Sequence, residues 1–87
     1  MPGSFWNNEN ELSKVVTDSG EIQIKVVRKN KRTFVDIRKW YWSNKTEELE
    51  PGKGITIPIE QFEQTAVELA NIHEKYSISE LKEMVSL

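Results

Sequence analysis

The chain reads as α+β, a four-stranded antiparallel sheet followed by a C-terminal helix, completed by a second copy of itself. Three observations point there. Residues 21–28 alternate in period two and residues 33–42 are rich in β-branched and aromatic side chains, with Asn30-Lys31 between them as a hairpin turn. At Ile59 the apolar spacing switches from strand-like to helical. The chain has only 87 residues, 37% hydrophobic and 30% charged, so a lone protomer buries a thin core and a partner subunit is expected.

Residues 1–20 are polar, with Leu12, Val15 and Val16 as their apolar cluster before the turn signal Thr17-Asp18-Ser19-Gly20, and read as an arm or a short edge strand. Residues 21–76 form the one domain. If the hairpin turns at Asn30-Lys31, where Asn tolerates positive φ, facing residues sum to 61. Ile22, Ile24 and Val26 then meet Lys39, Ile37 and Val35 on a core face. The opposite, wet face gathers Gln23, Lys25, Val27 and Lys29 beside Arg32, Phe34, Asp36, Arg38 and Trp40, with Lys25 paired across the strands to Asp36. A slip of one residue would exchange the faces. Residues 45–54 read as a loop or irregular hairpin turning at Pro51-Gly52, and residues 55–57 as a short strand stopped by Pro58. From Ile59 the helix places Phe62, Ala66, Leu69, His73 and Tyr76 on one stripe, widened by Val67, Ala70 and Ile72. That stripe exceeds what one small sheet covers, which makes Phe62, Ala66, Leu69, Ala70, His73 and Tyr76 the expected dimer interface. Ser77 to Glu80 has capping-box spacing, so residues 77–87 form a short terminal helix or tail.

Several classes of function are excluded. Without cysteine and with one histidine, the chain offers no disulfide, thiolate or histidine-rich metal site. No apolar run approaches the length of a membrane span, and the N-terminus lacks a signal peptide's features. The expected location is the cytoplasm or nucleoid, or the nucleus of a eukaryote. Catalysis needs a poised acid, base or nucleophile. His73 falls on the helix's apolar stripe, the helical Glu residues are spaced like a solvated surface, and Pro51-Gly52-Lys53-Gly54 lacks the spacing and following helix of a phosphate loop. No enzyme activity and no cofactor are expected.

Charge supplies the positive signal. Net charge is −2, but residues 25–45 carry eight bases (Lys25, Arg28, Lys29, Lys31, Arg32, Arg38, Lys39, Lys45) against the single acid Asp36, while both flanks are acidic. One electropositive element on an acidic body is the footprint of an anion-binding surface. The same strands carry Phe34, Trp40, Tyr41 and Trp42, and three consecutive aromatics cannot all point inward. Bases that track phosphates, joined to rings on which unpaired bases stack, suit single-stranded nucleic acid; duplex readers usually insert a helix, and the helix here is acidic. A dimeric protein-interaction module of the transcription machinery and an RNA-binding chaperone are the competing readings.

At Val35-Asp36-Ile37-Arg38-Lys39-Trp40-Tyr41, then Pro51-Gly52-Lys53-Gly54-Ile55-Thr56-Ile57 and a helix opening Glu60-Gln61-Phe62, the chain resembles the single-stranded-DNA-binding domain of the coactivator family typified by positive cofactor four, in the manner of a short bacterial or phage member. The resemblance covers about residues 21–76. It implies a homodimer of curved antiparallel sheets backed by helices, and sequence-independent binding of single strands and melted duplex without metal or cofactor. Such an activity serves transcription, replication, recombination or repair, with proteins of those processes as further partners and RNA as a second ligand. By position, Arg38 matches the family's DNA-contacting arginine, Arg32 a basic residue opening the second strand, Lys53 the lysine before Gly-Ile, and Tyr41 the stacking tryptophan, with Trp40 at the preceding aromatic. Three departures stand out. Glu50 occupies a position where the family tends to be basic. The first hairpin, Arg28-Lys29-Asn30-Lys31, lacks the family's stacking phenylalanine. The loop after Trp42 is one residue longer, so Tyr41 and Trp42 could exchange roles, and the hairpin register puts Tyr41 on the core side. The expected nucleic-acid contacts are Lys25, Arg28, Lys29, Lys31, Arg32, Phe34, Arg38, Lys39, Trp40, Tyr41 and Lys53.

Overall fold

The computed structural model describes residues 5–86; the first four residues of the expected arm and Leu87 lie outside the described residues. Four strands, β1 (Asn8–Val16), β2 (Gly20–Lys29), β3 (Arg32–Ser43) and β4 (Glu48–Pro58), precede α1 (Ile59–Lys75) and α2 (Ile78–Met84). The strands form one antiparallel sheet in the order β1-β2-β3-β4, so every connection joins neighbours.

The β2–β3 register runs from Gly20 opposite Tyr41 to Lys29 opposite Arg32, which is the pairing that sums to 61. Asn30 takes the left-handed backbone, φ 57°, and thereby closes the two-residue turn. The third connection differs from the sequence expectation. The chain turns at residues 44–47, with Glu47 left-handed at φ 56° and its N–H donating to the Ser43 carbonyl at 2.8 Å. Pro51 and Gly52 instead lie inside β4, beside an irregularity in the β3–β4 pairing between Arg38 and Trp40. β4 is an edge strand, and an edge beside a bulge is where a residue without an N–H is tolerated. The expected loop and short strand are thus one long strand. The fourth strand of the sheet is β1, drawn from the segment read as an arm or edge strand.

Pro58 ends β4 and stands as the N-cap of α1, with no side-chain cap; Glu60 in the first turn and His73 and Lys75 in the last complement the helix dipole. α1 lies against β3 and β4. Phe62, Thr65 and Ala66 are half-buried there, but every residue from Val67 to Lys75 is exposed and no helical residue is buried. α2 opens on a complete capping box: the Glu80 N–H donates to Ser77 Oγ at 3.1 Å, and the Ser77 N–H donates to Glu80 Oε1 at 3.0 Å.

On the face that carries α1, Val35 and its partner Ile57 are buried. The opposite face is not simply wet, as alternation alone suggested. Val27, at 1% exposure, is the most buried residue of the core, and Gln23 and Asp36 are buried on the same side. The reason is the segment before β1: it brings Trp6 against Phe34, which faces Val27 across the strands. The sheet therefore has a small packed layer on each side.

Candidate nucleic-acid interface

The face opposite α1 is assembled from alternate residues of β2 and β3. Lys25, Val27 and Lys29 stand across from Asp36, Phe34 and Arg32, with Arg38 and Trp40 further along β3. Three cation–ring contacts lie along it. Lys25 Nζ sits 4.5 Å from the Trp40 ring centre, Lys29 Nζ 4.4 Å from Phe5, and the Arg32 guanidinium carbon 5.0 Å from Phe34. Phe5 meets Trp6 edge-on at 4.8 Å, and Trp6 meets Phe34 at 5.8 Å, so three rings adjoin near the β2–β3 hairpin. The arm is tied to that hairpin by backbone and side-chain bonds. The Asn7 N–H donates to the Arg28 carbonyl, the Asn30 N–H donates to Asn7 Oδ1, and Lys29 Nζ donates to the Phe5 carbonyl at 2.7 Å.

Two of the cations are committed within the protein. Lys25 stands opposite Asp36 as the register requires, yet it does not pair with it: Lys25 Nζ donates to Glu9 Oε1 of β1 at 2.7 Å. Asp36 is taken instead by Arg38, two residues along on the same face. Arg38 Nη2 donates to Asp36 Oδ1 at 3.0 Å and Nε to Oδ2 at 3.2 Å, a two-pronged geometry that a lysine cannot match. The Thr56 hydroxyl donates to Asp36 Oδ1 at 3.0 Å, and Arg38 Nη1 donates to the Gly52 carbonyl at 2.9 Å. Arg38 thus ties β3 to the irregular stretch of β4. Gly54 faces it there, so close that a β-carbon would come within 2.6 Å of the Ile37 carbonyl oxygen.

The expected site residues fall into groups. Lys25, Lys29, Arg32, Phe34, Arg38 and Trp40 share this face. Arg28, Lys39 and Tyr41 alternate to the side that carries α1, Lys31 stands in the hairpin turn, and Lys53 is exposed on β4. Trp40 and Tyr41, adjacent in a strand, therefore serve different faces. The sequence reading missed Phe5, Trp6 and Glu9. Two neighbouring rings in an otherwise polar segment were the available signal, but only the pairing of β1 with β2 brings them to the site.

Phe5, Trp6, Glu9, Asp36, Arg38, Trp40, Pro51 and Thr56 line a cavity of about 350 Å³ on this face. No cluster of metal-ligating side chains occurs among the described residues, and no helix among them is long and apolar enough to cross a membrane.

The fold is thus a four-stranded meander packed against a helix, with rings and cations gathered on one face of the sheet. The chain belongs to the transcriptional coactivator p15 (PC4) family, which matches residues 16–64, from the end of β1 into the first turns of α1. That is a family of single-stranded-DNA-binding coactivators without enzymatic activity, and membership implies single-stranded DNA binding in general. Neither the curated proteins nor the solved structures gave a match to the chain.

Proposed function

We propose that the protein binds single-stranded DNA without sequence preference, as a homodimer, through the sheet face opposite α1. The observation that supports this above all is the joining of Phe34 and Trp40 to cations on that one face. Rings stack on bases of any identity, and nearby cations hold the backbone. Lys25 and Arg38 spend their charge on Glu9 and Asp36. Phosphates therefore fall to Lys29, Lys31 and Arg32 around the hairpin and to Lys53 on β4. Arg28, Lys39 and Tyr41 join only where the strand wraps the edge of the sheet.

The second copy packs on the other face. Val67, Leu69 and Ile72 of α1 are exposed in the protomer, as are Ile55 of β4 and Val15 of β1, which project from the α1 side of the sheet. Burying such side chains is the main drive to association. Leu69 is 57% exposed at the middle of the Phe62-to-Tyr76 stripe and is its natural centre.

Titration of a thymidine 20-mer, following tryptophan fluorescence and particle mass, tests both parts. Four phosphate contacts per protomer give a slope of log affinity against log salt of about −3. Lys31→Ala lowers the magnitude of that slope by about 0.7, whereas Lys25→Ala leaves it nearly unchanged. The unbound mass is twice that of the protomer, and a mixed-sequence strand binds as thymidine does. Binding flat in salt, preference for duplex, or a monomeric mass overturns the corresponding part. A uridine 20-mer run in parallel measures the preference between DNA and RNA.

A further inference from the structure

We propose that the cavity between the N-terminal rings and Trp40 receives one unpaired nucleobase of the bound strand, with Phe5 and Trp6 as a stacking wall supplied from outside the family-matched segment. The inference rests on the single-strand reading above and adds a site to it. Phe5 and Trp6 precede residue 16, where the family match begins, and nothing in that match assigns them a role. They line the cavity together with Trp40, so aromatic side chains contribute to it from both the arm and β3. At about 350 Å³ the space is at the small end of ligand sites and has room for a base with part of its sugar.

Charge decides which part of a nucleotide enters. The cavity's ionic lining is Glu9, Asp36 and Arg38. Glu9 is paired with Lys25 and Asp36 with Arg38, so the interior presents two carboxylates already matched by cations and has no surplus positive charge for a phosphate. The surplus lies outside, on Lys29, Lys31 and Arg32 at the hairpin to which the arm is bonded. An uncharged, flat, hydrogen-bonding group fits the inside, and the phosphates joined to it fit the rim. The arm also places ring surface beside the β2–β3 hairpin, whose own residues 28–31 hold none.

The test compares the full chain with Trp6→Ala, Phe5→Ala and Trp6→Phe on two probes, a thymidine 12-mer and a 12-mer of abasic deoxyribose phosphate. The expected result is a loss of roughly tenfold in affinity for thymidine in each alanine variant, the scale of one base–aromatic stack. Trp6→Phe keeps most of the affinity. The abasic strand, which offers phosphates and no rings, binds the parent and the variants alike, and the salt slope is unchanged. Equal or tighter thymidine binding by Trp6→Ala overturns the proposal and makes the arm a bystander or a cover on the site. Equal losses on both probes also overturn it, since a damaged fold or a lost charge contact then explains the effect. Failure of the parent chain to bind either strand refutes the single-strand reading itself, an outcome distinct from failure of the variants alone.

Discussion

Replacing Arg38 by alanine separates two roles that its position allows, contact with a phosphate and support of the sheet. Its guanidinium makes three hydrogen bonds inside the protein, two to Asp36 and one to the Gly52 carbonyl. Asp36 is 3% exposed and would keep only the Thr56 hydroxyl as a side-chain partner. Removing one member of a buried pair typically costs 3–5 kcal/mol because the other charge is stranded. The Arg38 side chain is itself 26% exposed, so water recovers part of that, and a loss of about 2–3 kcal/mol is expected. A chain of 87 residues has on the order of 4–13 kcal/mol in total. The loss therefore corresponds to a fall of roughly 10–20 °C in melting temperature at fixed protein concentration. Arg38→Ala combined with Asp36→Asn replaces the stranded carboxylate by a neutral amide that can still accept from Thr56, and should recover at least half of the loss. Urea unfolding followed by circular dichroism measures the parent and both variants, and DNA affinity is then read below the melting range. Recovery of affinity with stability in the double variant makes Arg38 a positioning residue; recovery of stability alone makes it a phosphate contact. A loss under about 1 kcal/mol in Arg38→Ala, or a double variant as unstable as the single, would refute the reasoning from the buried carboxylate.

Two further outcomes follow from the backbone and the caps. Glu47 holds a left-handed conformation that glycine adopts without strain, so Glu47→Gly should raise stability by about 0.5–1 kcal/mol in urea unfolding; a fall would show that the turn is held by the side chain. The Glu80 carboxyl is held below its ordinary value by the Ser77 backbone N–H and, next, by the Ser77 hydroxyl. Because the folded pKa is the lower one, α2 keeps this support at and above the ordinary carboxylate pKa and loses it as pH falls through the folded value. Helical circular dichroism should therefore decline on acidification in the parent, and Ser77→Ala should reduce that pH dependence. An identical acid profile in both would rule out the Ser77 hydroxyl as its source, since the alanine variant keeps the backbone N–H.

The central hairpin was legible because its information is local. Asn30 tolerates the turn, the alternation of Ile22, Ile24 and Val26 selects the register, and together they specify the β2–β3 pairing. The helix at Ile59 followed from Pro58 and a change of period, and the capping box of α2 from Ser77 and Glu80. What failed depended on choices among partners that a linear pattern does not rank. Lys25 and Arg38 both lie within reach of carboxylates. Arg38 takes Asp36 because its fork fits both oxygens, and Lys25 takes Glu9 from a strand whose place in the sheet no periodicity announced. Pro51-Gly52 has the composition of a turn, yet it lies in an edge strand, and edge position is a property of the whole sheet. The opposition of Trp40 and Tyr41 was implicit in strand alternation and needed only the register to be known.

The same arrangement explains why binding and folding are hard to separate in this chain. Among the described residues, the buried hydrophobic ones besides Val27 are Val35 and Ile57, both on the α1 side, so the proposed binding face supplies one of these three. Val27 faces Phe34, a ring assigned to stacking, and the carboxylate that anchors Arg38 is buried a few residues away. Removing a ring from that face must therefore weaken the packed layer beneath it as well as any stack above it. Cations at the rim carry no such double duty: Lys31 and Lys53 are exposed and cover none of that layer. Charge removal there reports on the ligand alone, whereas ring removal has to be read against a probe that has no bases.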